Sequence, residues 1–319
     1  MTPSPWSPTE HGLSVSGLNL WLIDREAFRI QYLEGWEEAS GWRKELAYGS
    51  LFGAGLEGYI KTKQLAGAHR FIQNEYKAQV DEHGYLDDIL WWTKLANHQI
   101  ETFIQRYNKG KTLPLSACTD SERNIRVEIT LPSGRPVLMN CYLDGEGKDF
   151  ILENKTRGKW DEVMLSENIK HDMQYNYYLL AYYSESGKLP SKVWYQNCRR
   201  PCSFGYRGPA KRKSEDMDEF LERIKTHMTE NPDYYFYRFI GKPTLLELQQ
   251  FCHLTLYPIM EAFLDWYEYI TTPANERTGN SVHWMTPYGL YNPFTEDVRE
   301  NFRNYRLTGT TIGLRKRFR

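Results

Sequence analysis

Apolar residues recur along the chain with two different periods, and the changes in period predict its secondary structure. Spacings of three and four residues predict helices over residues 36–59 and 83–107. The first of these helices carries small residues, which let another element approach closely. They are Gly49, Gly53, Gly55 and Gly58.

A strand-rich region follows, in which short β-branched and aromatic segments are separated by turn sequences. The segments RNIRVEITL, RPVLMNCYL and KDFILENKT are separated by PSG and DGEGK. This spacing predicts a meander of three antiparallel strands. Beyond it, the pattern predicts a long helix over residues 161–184, a strand at KVWYQNC, a helix over 216–230, a strand at YYFYRFI and a long helix over 244–270.

The order of these elements predicts an α/β fold, with a mixed β-sheet core flanked by helices and extended by further helical elaborations. The first twenty residues are rich in proline and serine, and the last fifty show no regular pattern. We therefore expect an N-terminal arm over residues 1–35, a core over 36–240, and a C-terminal helical extension packed on the core over 241–319.

The composition is that of an ordinary soluble globular protein. Of the 319 residues, 40% are apolar and 25% are charged, and the net charge is −1. No apolar run of about 18 residues is present to span a membrane, and the N-terminus lacks the basic and apolar regions of a signal peptide. We expect a cytoplasmic protein without a membrane partner. The five scattered cysteines argue against a disulfide framework.

Two segments are strongly basic although the whole chain is nearly neutral, namely residues 197–213 and 306–319. Local basic patches can hold phosphates on a neutral protein, with an affinity that weakens as salt increases. The candidate DNA-binding residues in the first segment are Arg199, Arg200, Arg207, Lys211 and Arg212. The alternative is a solvated loop and a disordered tail.

Charged residues gather at the end of the third predicted strand. Side chains alternate along a strand, so Glu153 and Lys155 project from one face. Asp144 ends the preceding strand, and a hairpin through DGEGK brings it beside Glu153. Two carboxylates and a lysine then converge at one end of a sheet.

This trio is typical of metal-assisted phosphodiester hydrolysis. Mg²⁺ takes carboxylate oxygens and binds substrate phosphate directly, and it polarises the phosphoryl group and activates water. Lys155 would orient or help to deprotonate that water, or stabilise developing negative charge. The alternative is an ordinary ion pair on a sheet, which contributes little to stability.

The segment LDGEGKDFILENKTRG, followed by HDMQYNYYLLAYY, resembles the PD-(D/E)xK nuclease superfamily, in the branch that holds RecB-like nucleases, CRISPR-adaptation nucleases and phage exonucleases. That branch combines an Asp, an ExK motif and a QxxxY motif on the following helix. The matching residues, to which the resemblance gives catalytic roles, are Asp144, Glu153, Lys155, Gln174 and Tyr178. The resemblance covers residues 45–240 and implies a restriction-endonuclease-like fold.

The resemblance extends upstream to YGSLFGAGLEGYI, which is similar to the first motif of the branch. That motif places a metal-binding histidine between a glycine and a glutamate. Gly49 and Glu57 match, but Gly53 occupies the histidine position. Glu57, one helical turn further on, is therefore the expected substitute, and the implied metal ligands are Glu57, Asp144 and Glu153.

The resemblance implies a DNA nuclease that uses Mg²⁺ or Mn²⁺, with exonuclease action in recombination, repair or phage DNA metabolism. It places the protein in the cytosol of a bacterium or of a phage-infected host. No iron–sulfur cluster is expected, because the cluster cysteines of some members are missing. Two alternatives stay open: a non-catalytic DNA-binding or assembly protein, and a nuclease of CRISPR adaptation. The sequence does not determine the oligomeric state. A single-strand annealing protein or another recombination protein is a candidate partner.

Overall fold

We analysed a computed structural model of the chain. It describes residues 6–38, 43–108, 115–158, 162–201 and 215–273, and residues 302, 305 and 308–316 near the C-terminus, with the exception of the side chains of residues 38, 164 and 165. None of the helices in these ranges is both long and apolar enough to cross a membrane.

Most of the described chain is helical. The helices are α1 Val15–Ile23, α2 Arg25–Phe28, α3 Lys44–Thr62, α4 Leu65–His83, α5 Asp87–Asn108, α6 Glu162–Ile169, α7 Met173–Ser186, α8 Met217–Glu230, α9 Pro232–Tyr235, α10 Leu245–Phe251 and α11 Tyr257–Thr271. They include α1, α2 and α4, which the apolar periodicity did not predict. Two π-helical turns, Arg29–Leu33 and Cys252–Leu256, follow α2 and α10 without interruption, and a 3-10 turn covers Leu115–Ala117.

The strands form one central sheet and two small ones. They are β1 Trp36–Glu38, β2 Cys118–Asp120, β3 Arg123–Thr130, β4 Pro136–Leu143, β5 Gly145–Gly147, β6 Phe150–Arg157, β7 Lys192–Arg199, β8 Phe236–Gly241 and β9 Leu314–Lys316. The central sheet has the order β2-β5-β6-β7-β8, with β6 and β7 parallel and the other pairs antiparallel. This mixed sheet between helices confirms the predicted α/β, restriction-endonuclease-like fold.

The predicted three-strand meander is wrong in its pairing. Strands β3 and β4 form a hairpin of their own, and the chain turns at Asp144 into the short strand β5, which pairs with β6 instead. Glycines allow this close pairing: a Cβ at Gly147 would lie 2.1 Å from the Phe150 ring, and one at Gly145 would lie 3.2 Å from Leu152. The chain therefore passes from β4 into β5 at Asp144, the residue that was predicted to be catalytic.

The predicted helix over residues 161–184 is interrupted. Helix α6 ends at Ile169 and α7 begins at Met173, and the side chain of Asp172 caps α7 by accepting a hydrogen bond of 2.9 Å from the backbone N–H of Tyr175. Capping satisfies an amide that has no partner inside the helix. The break places Gln174 in the first turn of α7, next to the end of β6.

Alternating side chains of the central sheet enter two separate cores. Ile151 and Val193 join one core with α1, α7, α11 and the β3–β4 hairpin. Phe150, Leu152 and Trp194 join the other with α3, α5 and α8. Strand β6 is therefore buried on both faces, as a central strand of a mixed sheet must be.

The N-terminal segment differs from the arm that its composition suggests. Trp6 is 5% exposed, and its ring makes edge contacts with Phe28, Tyr32 and Phe263, so this segment is part of a core. Burial of large aromatic rings outweighs a Pro- and Ser-rich composition. At the other end of the chain, β9 pairs with β1.

Close contact between α3 and α4 explains two of the glycines of α3. A Cβ added at Gly58 would lie 2.5 Å from the backbone carbonyl oxygen of Gly67, and one at Gly55 would lie 2.8 Å from Ile72 Cδ1. A Cβ at Gly53, in contrast, would meet no heavy atom within 4 Å. Gly58 is therefore required for packing, whereas Gly53 borders open space.

We expect Gly58→Ala to lower the free energy of unfolding by about 1–3 kcal/mol, because the backbones of α3 and α4 would have to separate. Gly53→Ala is the matched control in the same helix, and it should raise stability by up to about 1 kcal/mol, since alanine is the better helix former. Urea denaturation of the three proteins measures both changes. Equal effects of the two substitutions would contradict this account of the helix contact.

Candidate active site

Glu153 is a buried carboxylate in the middle of the site. Its side chain leaves β6 on the α7 side, and the residue is only 3% exposed. Its Oε1 atom lies 2.5 Å from Lys155 Nζ and accepts a hydrogen bond of 2.8 Å from Gln174 Nε2. Its Oε2 atom is buried and has no hydrogen-bond partner in the described part of the chain. One half of the carboxylate is thus fixed and the other is unsatisfied.

Lys155 supplies the positive charge of this group. Burial alone would lower the pKa of its ammonium, but the carboxylates of Glu153 and Asp144 outweigh burial, so its pKa is raised. The side chain keeps 31% of its surface exposed. Lys155 therefore stays protonated at neutral pH and is a charged hydrogen-bond donor.

Asp144 lies beside Glu153, as the sequence predicts, although the strand pairing differs. Gly145 pairs with Leu152 in the β5–β6 ladder, so Asp144 and Glu153 come directly next to this pair on adjacent strands. Asp144 Oδ2 accepts a hydrogen bond of 2.6 Å from the backbone N–H of Asn154. That bond fixes the carboxylate of Asp144 against β6.

Burial and mutual repulsion shift the titration of the two carboxyls. Burial, together with the charge of Asp144, raises the pKa of Glu153 to about 8, and the charge of Lys155 opposes this rise. Burial also raises the pKa of Asp144, against the effects of Lys155 and of the Asn154 N–H. A carboxylate with a raised pKa is held in an unfavourable environment, which an additional positive charge would improve.

Asp144 also opens onto a cavity of about 380 Å³ between β6, α3 and α4. Asn154 lines the cavity from the sheet, and Gly53 and Glu57 line it from α3. The structure thus brings Glu57 and Asp144 to one cavity, whereas Glu153 is not among the residues that line it. Glu57 also forms an ion pair with Lys61, one turn further along α3.

Two further acids line this cavity and were not singled out in the sequence. Glu75 reaches it from α4, and Glu122 from the turn between β2 and β3. Desolvation, followed by the charges of Asp144 and Glu57, raises the pKa of Glu122 to about 7. Only the acidic turn TDSE hinted at Glu122, and no sequence signal marks Glu75, because its position depends on how α4 packs on α3.

Gln174 and Tyr178 lie one turn apart on α7 and face the carboxylate of Glu153. Gln174 Nε2 donates to Glu153 Oε1 and also to the hydroxyl oxygen of Tyr178, both at 2.8 Å. Tyr178 is buried, and burial raises the pKa of its hydroxyl. Gln174 contacts the Glu153 carboxylate and Tyr178 contacts Gln174, so the two side chains fix the orientation of that carboxylate.

Of the basic residues predicted to bind DNA, the structure describes two. Arg199 donates from Nε to the backbone oxygen of Tyr234 at 2.9 Å, and its guanidinium lies 4.3 Å from the centre of the Tyr234 ring. Arg200 Nη1 lies 3.7 Å from the carboxylate of Glu45. Both therefore make contacts within the protein. The other three, Arg207, Lys211 and Arg212, lie outside the described residues.

Comparison with known families identifies the class of protein. The profile of the PD-(D/E)XK nuclease superfamily matches residues 12–253, which includes the central sheet and every residue of the site. The chain belongs to this superfamily, and a nuclease is what its fold and site indicate. No curated protein matches the chain.

Nucleases of this superfamily generally use divalent metal ions such as Mg²⁺. Within the described ranges, no three Asp, Glu, His or Cys side chains are close enough to form a complete metal-binding group. The donor chemistry nevertheless fits, because Mg²⁺ is commonly held by one or two carboxylates, with waters and substrate phosphate completing its shell. Asp144 at the cavity and the unsatisfied Oε2 of Glu153 are suitable hard oxygen donors.

The raised pKa of Glu153 predicts how the stability of the metal-free protein depends on pH. Folding favours the protonated carboxyl, so its contribution is full below about pH 4.5 and is lost as the pH rises towards 8. Glu153→Gln cannot ionise and should keep this contribution. At pH 8.5 in chelator, the variant should be more stable than the wild type by about 4–5 kcal/mol. At pH 4.5 the two should agree in urea denaturation, and a less stable variant at pH 8.5 would contradict the electrostatic argument.

The contacts of Gln174 predict different effects for two neighbouring substitutions. Gln174→Ala releases the Glu153 carboxylate and should reduce cleavage by about 10–100-fold, as is usual for residues that orient metal ligands. Tyr178→Phe removes only an acceptor of the Gln174 amide and should have a much smaller effect. Cleavage rates measured across a titration of the metal ion check both expectations. A larger loss in Tyr178→Phe would show that the tyrosine hydroxyl itself acts on substrate.

Proposed function

We propose that the protein is a Mg²⁺- or Mn²⁺-dependent deoxyribonuclease that hydrolyses phosphodiester bonds. The observation that carries the proposal is the junction of β5 and β6. There, Asp144 and the buried Glu153 lie opposite each other next to the Gly145–Leu152 pair, and Lys155 contacts Glu153. A structural ion pair would need one carboxylate for one lysine. Here Asp144 is a second carboxylate beside Glu153, and burial together with the charge of Asp144 raises the pKa of Glu153.

The cation would be held by Asp144 and Glu153, and Glu57, which lines the cavity with Asp144, would reach the same ion through one of its bound waters. When bound, a divalent ion supplies Lewis acidity for the phosphoryl oxygen and a lowered pKa for water. Glu57 in this role takes the place of the histidine missing at Gly53. An acidic cavity alone would repel DNA, so the positive charge of Lys155 and of the ion is needed for the substrate to approach.

Lys155 would stabilise negative charge as it develops on the phosphoryl group. Its raised pKa keeps the ammonium protonated near neutral pH, which favours this role over the abstraction of a proton from water. Gln174 and Tyr178 would keep Glu153 in a fixed orientation. The basic segment would supply sequence-independent affinity for the DNA backbone, chiefly through Arg207, Lys211 and Arg212, because Arg199 and Arg200 also make contacts within the protein.

Exonuclease action is the form of the activity that we favour, in recombination, repair or phage DNA metabolism in the cytoplasm. The support is the resemblance of the motifs to RecB-like and phage exonucleases, together with the superfamily match. A single-strand annealing or other recombination protein is the partner that this role would involve. The absence of an iron–sulfur cluster belongs to the same proposal.

The decisive experiment follows the digestion of end-labelled linear DNA and of a covalently closed circle of the same sequence. We expect wild-type protein to release nucleotides from the linear DNA with Mg²⁺ or Mn²⁺ and to do nothing in chelator. The circle should resist digestion. Asp144→Asn, Glu153→Gln and Lys155→Ala should each reduce the rate by at least about 100-fold, since each removes a charge aimed at the reacting group.

Lys188→Ala, on an exposed lysine at the far end of α7, is the matched control and should cleave like wild type. Digestion of the circle would favour an endonuclease over an exonuclease. If wild-type protein binds DNA but cleaves neither form with any divalent metal, the non-catalytic binding or assembly role replaces the proposed one.

A further inference from the structure

A second cavity, of about 260 Å³, lies against the side of α7 that faces α10. Its lining is apolar in the interior, where Leu179 and Leu248 are buried, and Phe251 is half-buried beside them. The π-helical turn that follows α10 adds Leu254, a leucine with 80% of its surface exposed. Solvent exposure of a large apolar residue next to an apolar cavity is a feature of binding surfaces.

Positive charge surrounds the mouth of this cavity. Lys170, His171 and Lys242 line it, and all three residues are exposed. The acid that lines it, Glu247, accepts hydrogen bonds from the backbone N–H of Thr244 at 3.2 Å and from its hydroxyl at 2.8 Å, as part of the capping of α10. Lys170 Nζ is 3.9 Å from Glu247, a distance too long for a hydrogen bond. Lys170 is thus in a long ion pair with Glu247, whereas Lys242 makes no ion pair in the described part of the chain.

The cavity and the candidate active site are joined by a few residues of chain. Lys170 and His171 line the cavity, and Gln174 donates to Glu153. Three residues of chain span at most about 11 Å between Cα atoms. A stacked strand advances about 3.4 Å per nucleotide, so about three nucleotides cover that length.

We propose that this cavity is a subsite for single-stranded DNA, which receives one nucleotide of the strand a few positions from the bond to be cleaved. Lys170 and Lys242 contact the phosphates on either side of that nucleotide. Phe251 and Leu254 contact its base. This role explains why Leu254 is exposed and Phe251 only half-buried beside the lysines at the mouth of the cavity. The inference rests on the proposed nuclease function, and it assigns a place where the enzyme distinguishes a long strand from a short one.

The test measures strand binding in chelator, where no cleavage takes place, so it does not depend on the catalytic proposal. The double variant Lys170→Ala, Lys242→Ala should bind a labelled single-stranded decanucleotide at least about 10-fold more weakly than wild type, and its slope of log affinity against log salt should fall by about 1.4, or 0.7 for each lost contact. A dinucleotide has one internucleotide phosphate and cannot contact both lysines through phosphates, so the double variant should weaken its binding less than that of the decanucleotide.

The matched control is Lys148→Ala, Lys188→Ala, which removes the same charge from exposed lysines at the opposite ends of β6 and α7. Its affinity for the decanucleotide should equal that of the wild type, and thermal denaturation should show all three proteins folded. Equal losses in both double variants, or none in either, would overturn the subsite whether or not the protein cleaves DNA.

Two further arms identify the ligand. A decanucleotide that carries 2-aminopurine at successive positions should lose fluorescence on binding at one or two positions only, and Phe251→Leu should restore that fluorescence, because the stacking platform is removed. Displacement of the decanucleotide by submillimolar dAMP would instead mark the cavity as a site for free nucleotides and overturn the strand subsite.

Discussion

The burial of the Glu153 carboxylate is the constraint around which the site is built. A charged group inside a protein is tolerated only with partners, and here Lys155 and Gln174 both contact the same oxygen, Oε1. The other oxygen has no hydrogen-bond partner in the described chain, and Asp144 adds a second negative charge close by. The fold thus holds an unfavourable concentration of charge that other interactions must stabilise.

The surrounding sheet provides that stabilisation. Strand β6 lies between β5 and β7, and its first three residues enter two apolar cores before Glu153 is reached. Glycines at 145 and 147 let β5 approach β6 closely enough to place Asp144. The capped start of α7 then sets Gln174 against the carboxylate. None of these features is a candidate catalytic group, but each helps to position one side chain of the site.

Local sequence predicted the parts of the site that lie on regular elements. The ExK spacing placed Glu153 and Lys155 on one face of a strand, and the i, i+4 spacing placed Gln174 and Tyr178 on one face of a helix. Three-dimensional packing decided the rest. Glu75 enters the cavity through the α3–α4 contact, and Glu122 through a turn, neither of which leaves a periodic signal. The strand break at Asp144 was likewise missed, because turn sequences mark a reversal without specifying which strands pair.

The two faces of β6 differ in charge: the α3 face is acidic, and the α7 face carries lysines. On the α3 face, Glu57, Glu122 and Asp144 make an acidic cavity that suits a small hydrated cation and repels a polyanion. On the α7 face, Lys155 offers positive charge at the end of the strand, and lysines flank the apolar cavity beside α7. In the proposed nuclease, a phosphodiester would approach from the α7 side, where it would meet the cations before the carboxylates at the strand end. Asp144 belongs to both environments, because it accepts a hydrogen bond from the Asn154 N–H of β6, lines the acidic cavity, and adds the negative charge that helps to raise the pKa of Glu153.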